Sequence, residues 1–137
     1  ARYQNHLVRD VTQVSAASKL GDQEIIDARA PGRFRGEAPE PREGLRQGRI
    51  PGSSNVCFYE VLNPDGTMNS PEDCRVIFET AGVDLSKPAI TTCGSGVTAA
   101  VLALALERMG KSDWSLYDGS WSAWGQFATL PIATGDD

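Results

Sequence analysis

Apolar positions along the chain fall into two rhythms, and their succession sets out the elements. Val11, Val14, Ala17 and Leu20 recur every three residues behind Asp10, whose carboxylate suits a helix N-cap, and Gly21 offers a left-handed stop. Glu24-Ile25-Ile26-Asp27 predicts a short buried strand that ends in an Asp-Ala-Arg turn. Residues 30–55 carry Pro31, Pro39, Pro41 and Pro51 among several glycines and predict a long loop, of the kind that is functional or disordered in a compact domain. Val56-Cys57-Phe58 predicts a short strand. Ser70-Pro71-Glu72-Asp73 is a strong helix start, with a capping serine, proline at the first helical position and two acids in the first turn. That helix is expected to run through Ile77, Phe78 and Ala81 to Gly82.

Beyond it, Pro88-Ala89-Ile90-Thr91-Thr92 predicts a buried strand and Val97 to Met109, rich in Ala and Leu, a helix stopped by Gly110. Ser115-Leu116-Tyr117 predicts a strand, Asp118-Gly119 a turn, and Gly135-Asp136-Asp137 a frayed tail. The tryptophans of Trp121-Ser122-Ala123-Trp124 are expected to pack rather than to form a substrate lid. Strands and helices alternate, so the predicted class is α/β, with a mostly parallel central sheet and helices on both faces. Ligands of such sheets bind at the carboxyl ends of strands. No internal repeat interrupts this order.

Composition narrows the function without deciding it. At 137 residues, 40% hydrophobic and 23% charged, the chain matches one ordinary globular domain with a real core. A net charge of −5 argues against nucleic acid as a partner, and no apolar stretch approaches membrane-spanning length. Cys57, Cys74 and Cys93 are far apart and odd in number, which favours free thiols in a reducing, cytoplasmic setting, with Cys57 and Cys74 structural. Zinc is not expected, since the cysteines lack paired spacing and His6 is the single histidine. No secretory signal is read at residue 1, although the chain opens on Ala1 rather than Met, which leaves room for an upstream region.

Chemistry concentrates in Cys93-Gly94-Ser95-Gly96-Val97-Thr98, between a predicted strand and a predicted helix. Two glycines let the chain curl so that successive N–H groups converge, and an exposed thiolate or persulfide there is stabilised by those donors and by the helix dipole. The plain alternative is a small buried cysteine at a strand end, with glycines serving only the turn. The loop also excludes reactions. A cysteine phosphatase needs an arginine six residues after its nucleophile, where Ala99 stands, and a thioredoxin-like site needs a second cysteine where Gly96 stands.

The same loop, Cys93 through Ala99, resembles the active-site loop of the 3-mercaptopyruvate sulfurtransferases within the rhodanese superfamily. Asp27-Ala28-Arg29, Gly32-Arg33-Phe34-Arg35-Gly36, Glu40-Pro41-Arg42 and Gly48-Arg49-Ile50-Pro51-Gly52 resemble the family's upstream blocks, and Tyr117-Asp118-Gly119-Ser120-Trp121 its closing block. Arg49 stands where the family commonly has histidine, and Ala123 where it commonly has glutamate. The resemblance implies one rhodanese-like domain over residues 1–137, equivalent to the second, catalytic domain of a tandem protein whose first domain is absent from this chain.

It further implies a sulfurtransferase without cofactor or metal. Cys93 would take sulfur from 3-mercaptopyruvate as a persulfide, release pyruvate, and pass the sulfur to cyanide or to a thiol, thioredoxin among the candidates. Ser95 would serve a proton relay. Arg33 and Arg42 match the positions that hold the substrate carboxylate and keto oxygen, for which a planar guanidinium fork is suited. Gly94, Gly96, Val97 and Thr98 complete the substrate loop. Arg35, Arg46 and Arg49 are expected to be solvated, compensated by Glu37, Glu40 and Glu43, and Asp27 to fix its loop by hydrogen bonds. The rivals are a thiosulfate sulfurtransferase and a non-catalytic rhodanese-like module. The neutral Gly94-Ser95 pair beside the cysteine tilts the choice toward the keto acid.

Overall fold

A computed structural model describes residues 8–38, 40, 45–94, 98–117, 119–126 and 129–134. Five parallel strands form one sheet in the order β1-β5-β4-β2-β3. They are β1 (Val8–Arg9), β2 (Glu24–Asp27), β3 (Ser53–Asn55), β4 (Ala89–Thr92) and β5 (Trp114–Tyr117). The helices are α1 (Val11–Leu20), α2 (Pro31–Arg35), α3 (Pro71–Thr80), α4 (Ala99–Arg108) and α5 (Ser120–Trp124), with a 3-10 turn at Phe58–Val61. The class is the expected one, α/β around a parallel sheet. Neighbouring strand residues point to opposite faces, so Ile25 and Ile26 enter different cores. One core gathers Ile26, Ala28, Val56, Phe78, Ala89, Leu102 and Leu106, the other Val14, Ala17, Ile25, Ile90, Tyr117, Trp121 and Trp124. The helices on the two faces supply both clusters.

Local chemistry explains most boundaries. Asp10 caps α1 through its carboxylate, which accepts from Gln13 N–H at 2.8 Å while Gln13 Oε1 accepts from Asp10 N–H at 2.9 Å. Gly21 closes the helix at φ 69°, a conformation costly for any side chain. Ser70 accepts from Asp73 N–H at 3.2 Å, and α3 follows with Pro71 at its first position.

The sequence reading predicts no strand at Val8–Arg9 and no helix at Ser120–Trp124, and two further elements depart from it. The strand expected at 56–58 lies at Ser53–Asn55, three polar residues of an edge strand that take their place by pairing with β2 rather than by burying side chains. Asn55 Nδ2 reinforces that pairing by donating to the carbonyls of Asp27 and Arg29, and Val56 then turns into the core. The segment predicted as loop contains α2, with proline at its first turn and Gly36 at φ 79° after its last. The predicted α4 start at Val97 falls outside the described residues, and the helix begins at Ala99.

Candidate active site

The carboxyl ends of β2, β3 and β4 converge at one edge of the sheet. Ala28 N–H donates to Thr92 C=O at 2.8 Å, Phe58 N–H donates to Ala28 C=O at 3.0 Å, and Cys93 directly follows β4. A cavity of about 560 Å³ opens here, walled by Arg29, Arg33, Glu40, Cys57, Tyr59, Gly94, Thr98 and Ser122 among others. Arg33 reaches across to the cysteine loop. A Cβ placed on Gly94 would lie 2.5 Å from Arg33 Nη2, so the guanidinium sits directly against the residue after Cys93. Gly94 and Thr98 bracket residues 95–97. Ser95, Gly96 and Val97 lie outside the described residues, as does Arg42.

Cys93 is 1% exposed, which corrects the expectation of an exposed thiol. Its side chain falls on the sheet face that carries Ala28, Val56, Ala99 and Leu102 and joins that core. The backbone of the loop is held by the start of α5. Trp121 N–H donates to Cys93 C=O at 2.8 Å, and Ser122 donates to Gly94 C=O from its N–H at 2.9 Å and from its hydroxyl at 2.6 Å. The other cysteines are also buried, and burial pushes both the Cys57 and the Cys74 thiols up from their ordinary range. Cys74 lies on the buried face of α3, as a structural thiol does, whereas Cys57 also contributes to the cavity wall.

The charged residues of the 27–49 region are far less solvated than their number suggests. Glu40, expected among the compensating surface charges, has a side chain 1% exposed. Its Oε2 accepts from Arg29 Nη1 at 3.0 Å, and its Oε1 accepts from Arg33 Nη2 at 2.8 Å and Nε at 3.2 Å. Arg29, equally buried, is also held by Asp27, whose two oxygens accept from Nε and Nη2, and it donates to Gly48 C=O at 2.7 Å. Its guanidinium lies 4.6 Å over the Trp121 ring. Asp27, Arg29, Glu40 and Arg33 thus form one chain of charges running from the sheet to the cavity. Arg33 Nη1 makes no hydrogen bond among the described residues and remains the unused edge of its fork.

Arg46 and Arg49 also overturn the solvated reading. Arg46 donates to the carbonyls of Trp124, Gly125 and Leu130 at 3.0 to 3.3 Å, tying the 45–50 segment to the end of α5. Arg49 is 2% exposed and stacks 4.7 Å over the Phe34 ring. Arg35 is the one that matches, in an exposed pair with Glu37. Trp121 and Trp124 are core residues, and their indole N–H groups donate to Arg46 C=O at 2.7 Å and Pro131 C=O at 2.8 Å. The acid-base pairing of Glu40 with two arginines had no signal in the sequence beyond proximity. Ser122, one residue beyond the closing block, carried no signal for its bonds to Gly94 either.

A parallel α/β domain with a cysteine loop at the carboxyl edge of its central strands, backed by an arginine, defines the class: residues 10–127 match the rhodanese-like domain, and the chain belongs to that family. Among its relatives is the 3-mercaptopyruvate sulfurtransferase of Homo sapiens, 50% identical over 101 residues that cover 74% of this chain and 34% of that protein. The thiosulfate sulfurtransferase of Rattus norvegicus is 51% identical over 102 residues, covering 74% of this chain and 34% of the relative. A solved Escherichia coli structure of a 3-mercaptopyruvate sulfotransferase superposes with a TM-score of 0.76 at 41% identity, over 88% of this chain and 44% of that one. The chain spans about a third of the length of those two relatives and under half of the solved chain. No described helix is long and apolar enough to cross a membrane.

Proposed function

We propose that this domain is a sulfurtransferase in which Cys93 takes sulfur from 3-mercaptopyruvate and delivers it to a thiol or to cyanide. The observation that carries the reading is the Arg33 guanidinium seated against Gly94, which brings a cationic fork to the residue beside the thiol. The Cys93 thiolate attacks the donor sulfur and forms the S–S bond as the carbon–sulfur bond breaks. The departing electron pair is delocalised onto the keto oxygen as an enolate, and a proton taken up at carbon gives pyruvate. Arg33 Nη1 is free to stabilise the carboxylate or the developing enolate oxygen, where a charge-assisted hydrogen bond strengthens as charge grows. An acceptor thiolate, thioredoxin among the candidates, then attacks the outer sulfur and restores the Cys93 thiolate.

In this reading Arg42 is the second arginine on the substrate, Ser95 belongs to a proton relay, and Gly94, Gly96, Val97 and Thr98 line the persulfide. In the same reading the domain is the second, catalytic one of a tandem protein and acts in the cytoplasm; a chain of about a third of its relatives' length fits one domain of such a protein. Thiosulfate as donor is the second reading, favoured by the similarity to the rat enzyme. Incubation with each donor followed by intact-mass analysis and peptide mapping tests both. A one-sulfur gain on the Cys93 peptide with 3-mercaptopyruvate is expected. Gain with thiosulfate alone selects the second reading, and label spread over Cys57, Cys74 and Cys93, or none with either donor, removes both.

A further inference from the structure

Ser120 combines three properties that its place in the closing block does not require. It is the one non-glycine residue at positive φ among the described residues, at 51°, and its side chain is fully buried. Its hydroxyl oxygen accepts from Cys93 N–H at 3.1 Å. The same hydroxyl donates to Tyr117 C=O at 2.8 Å and lies 3.9 Å from Cys93 Sγ. A serine in the left-handed region is strained, and such strain persists where the surroundings over-determine it, often at sites of chemistry. A glycine would adopt this conformation without cost. What glycine would lack is the hydroxyl, and that hydroxyl meets both the amide and the sulfur of Cys93.

We infer that the Ser120 hydroxyl is a thiolate-holding group for Cys93. With Cys93 as thiol, the single hydroxyl proton rests on the Tyr117 carbonyl, the shorter contact. When the thiol proton leaves to solvent, the hydroxyl rotates its own proton from that carbonyl to the charged sulfur, because a hydrogen bond to an ionised acceptor is the stronger of the two. Only the S–H bond is broken, its proton going to solvent and its electron pair staying on sulfur, and the Cys93 N–H keeps its acceptor throughout. The 3.9 Å separation closes as the charge forms. Ser120 therefore favours the thiolate form of Cys93, whose side chain faces the core that holds Ala28, Val56, Ala99 and Leu102.

The inference rests on Cys93 as the reacting thiol, but its test uses no sulfur donor, so it stands or falls apart from the substrate reading. The thiolate absorbance of the native protein, Ser120→Gly and Ser120→Ala is titrated, each against its own Cys93→Ser partner so that only Cys93 contributes. Ser120→Gly relieves the backbone strain and keeps the fold, while Ser120→Ala retains the strain. Both variants are expected to move the midpoint of the Cys93 profile to higher pH by about 0.4–1 unit, with Ser120→Gly melting above Ser120→Ala because it alone is relieved of the positive φ. A midpoint unchanged in Ser120→Gly overturns the inference. So does a shift that follows the melting temperatures of the two variants rather than the loss of the hydroxyl.

Discussion

Glu40 is the residue whose removal tests the site most directly. Its carboxylate is shared by Arg29 and Arg33 through three hydrogen bonds of 2.8 to 3.2 Å, and its side chain is 1% exposed. Breaking a buried ion pair by deleting one partner costs about 3–5 kcal/mol, because the other charge is left uncompensated. Two features reduce that figure here. Arg29 keeps Asp27, and the Arg33 side chain is 27% exposed and can recover water. Glu40→Ala is therefore expected at the lower end, about 3 kcal/mol, a fall in Tm on the order of 10 °C for a domain of this size. Glu40→Gln retains one acceptor and presents its amide N–H groups to a second guanidinium, so about 1–3 kcal/mol is expected. Urea denaturation followed by circular dichroism measures both. In turnover assays Glu40→Gln should raise KM for 3-mercaptopyruvate more than it lowers kcat, since a loosened Arg33 binds less well while the thiol is untouched. A stability loss below about 1 kcal/mol for Glu40→Ala would refute the buried charge chain.

Arg33→Lys removes the planar fork and should weaken 3-mercaptopyruvate use by about tenfold to a hundredfold, with a much smaller loss for thiosulfate in parallel kcat/KM measurements. Gly94→Ala should displace the Arg33 guanidinium, whose Nη2 would be 2.5 Å from the new Cβ, and lower the same selectivity without a comparable loss of Tm. Gly48→Ala should be the more destabilising glycine variant in thermal melts, because its φ is 130° and the Cβ would meet Ala133 C=O at 2.7 Å. Tyr117 is pushed up to about 12 by burial and, secondarily, by Asp10, so its folded form holds its proton where the unfolded chain has lost it. Stability should be complete below pH ~10 and fall by roughly 2–3 kcal/mol between pH ~10 and ~12. Tyr117→Phe should remove that contribution to the alkaline loss at little cost at neutral pH, as the hydroxyl has no hydrogen-bond partner among the described residues.

How far the sequence could be read depended on whether the deciding interaction was local. Asp10, Gly21, Ser70 and Pro71 act within one turn of their helices, and both ends of α1 and the start of α3 were legible from them. The placement of Cys93 after β4 was legible for the same reason. Ser53-Ser54-Asn55 has no apolar pattern, and β2 alone makes it a strand. Pro31 and Gly36 carried the start and stop signals of α2, but the prolines that follow obscured them. The burial of Arg29, Glu40 and Arg49 was not legible, because a charge count says nothing of which charges face each other once strands from distant segments align. The burial of Cys93 followed from sheet-face alternation continued past the strand end, a step that requires the register of Ala28 against its neighbours.

The clamp that α5 places on the cysteine loop has a consequence for how the domain is made. The carbonyls of Cys93 and Gly94 find their donors in Trp121 and Ser122, well downstream in the chain. Parallel strands in the order β1-β5-β4-β2-β3 likewise leave β4 without one neighbour until β5 has been made. At about 5–20 residues per second, the roughly thirty residues between the loop and the end of α5 take on the order of 2–6 s to synthesise. Throughout that interval the nascent thiol exists without the backbone frame that shapes its loop. Assembly of the loop's frame is thereby deferred to the last described helix, so a ribosome-bound or prematurely ended chain carries the cysteine but not the backbone geometry around it.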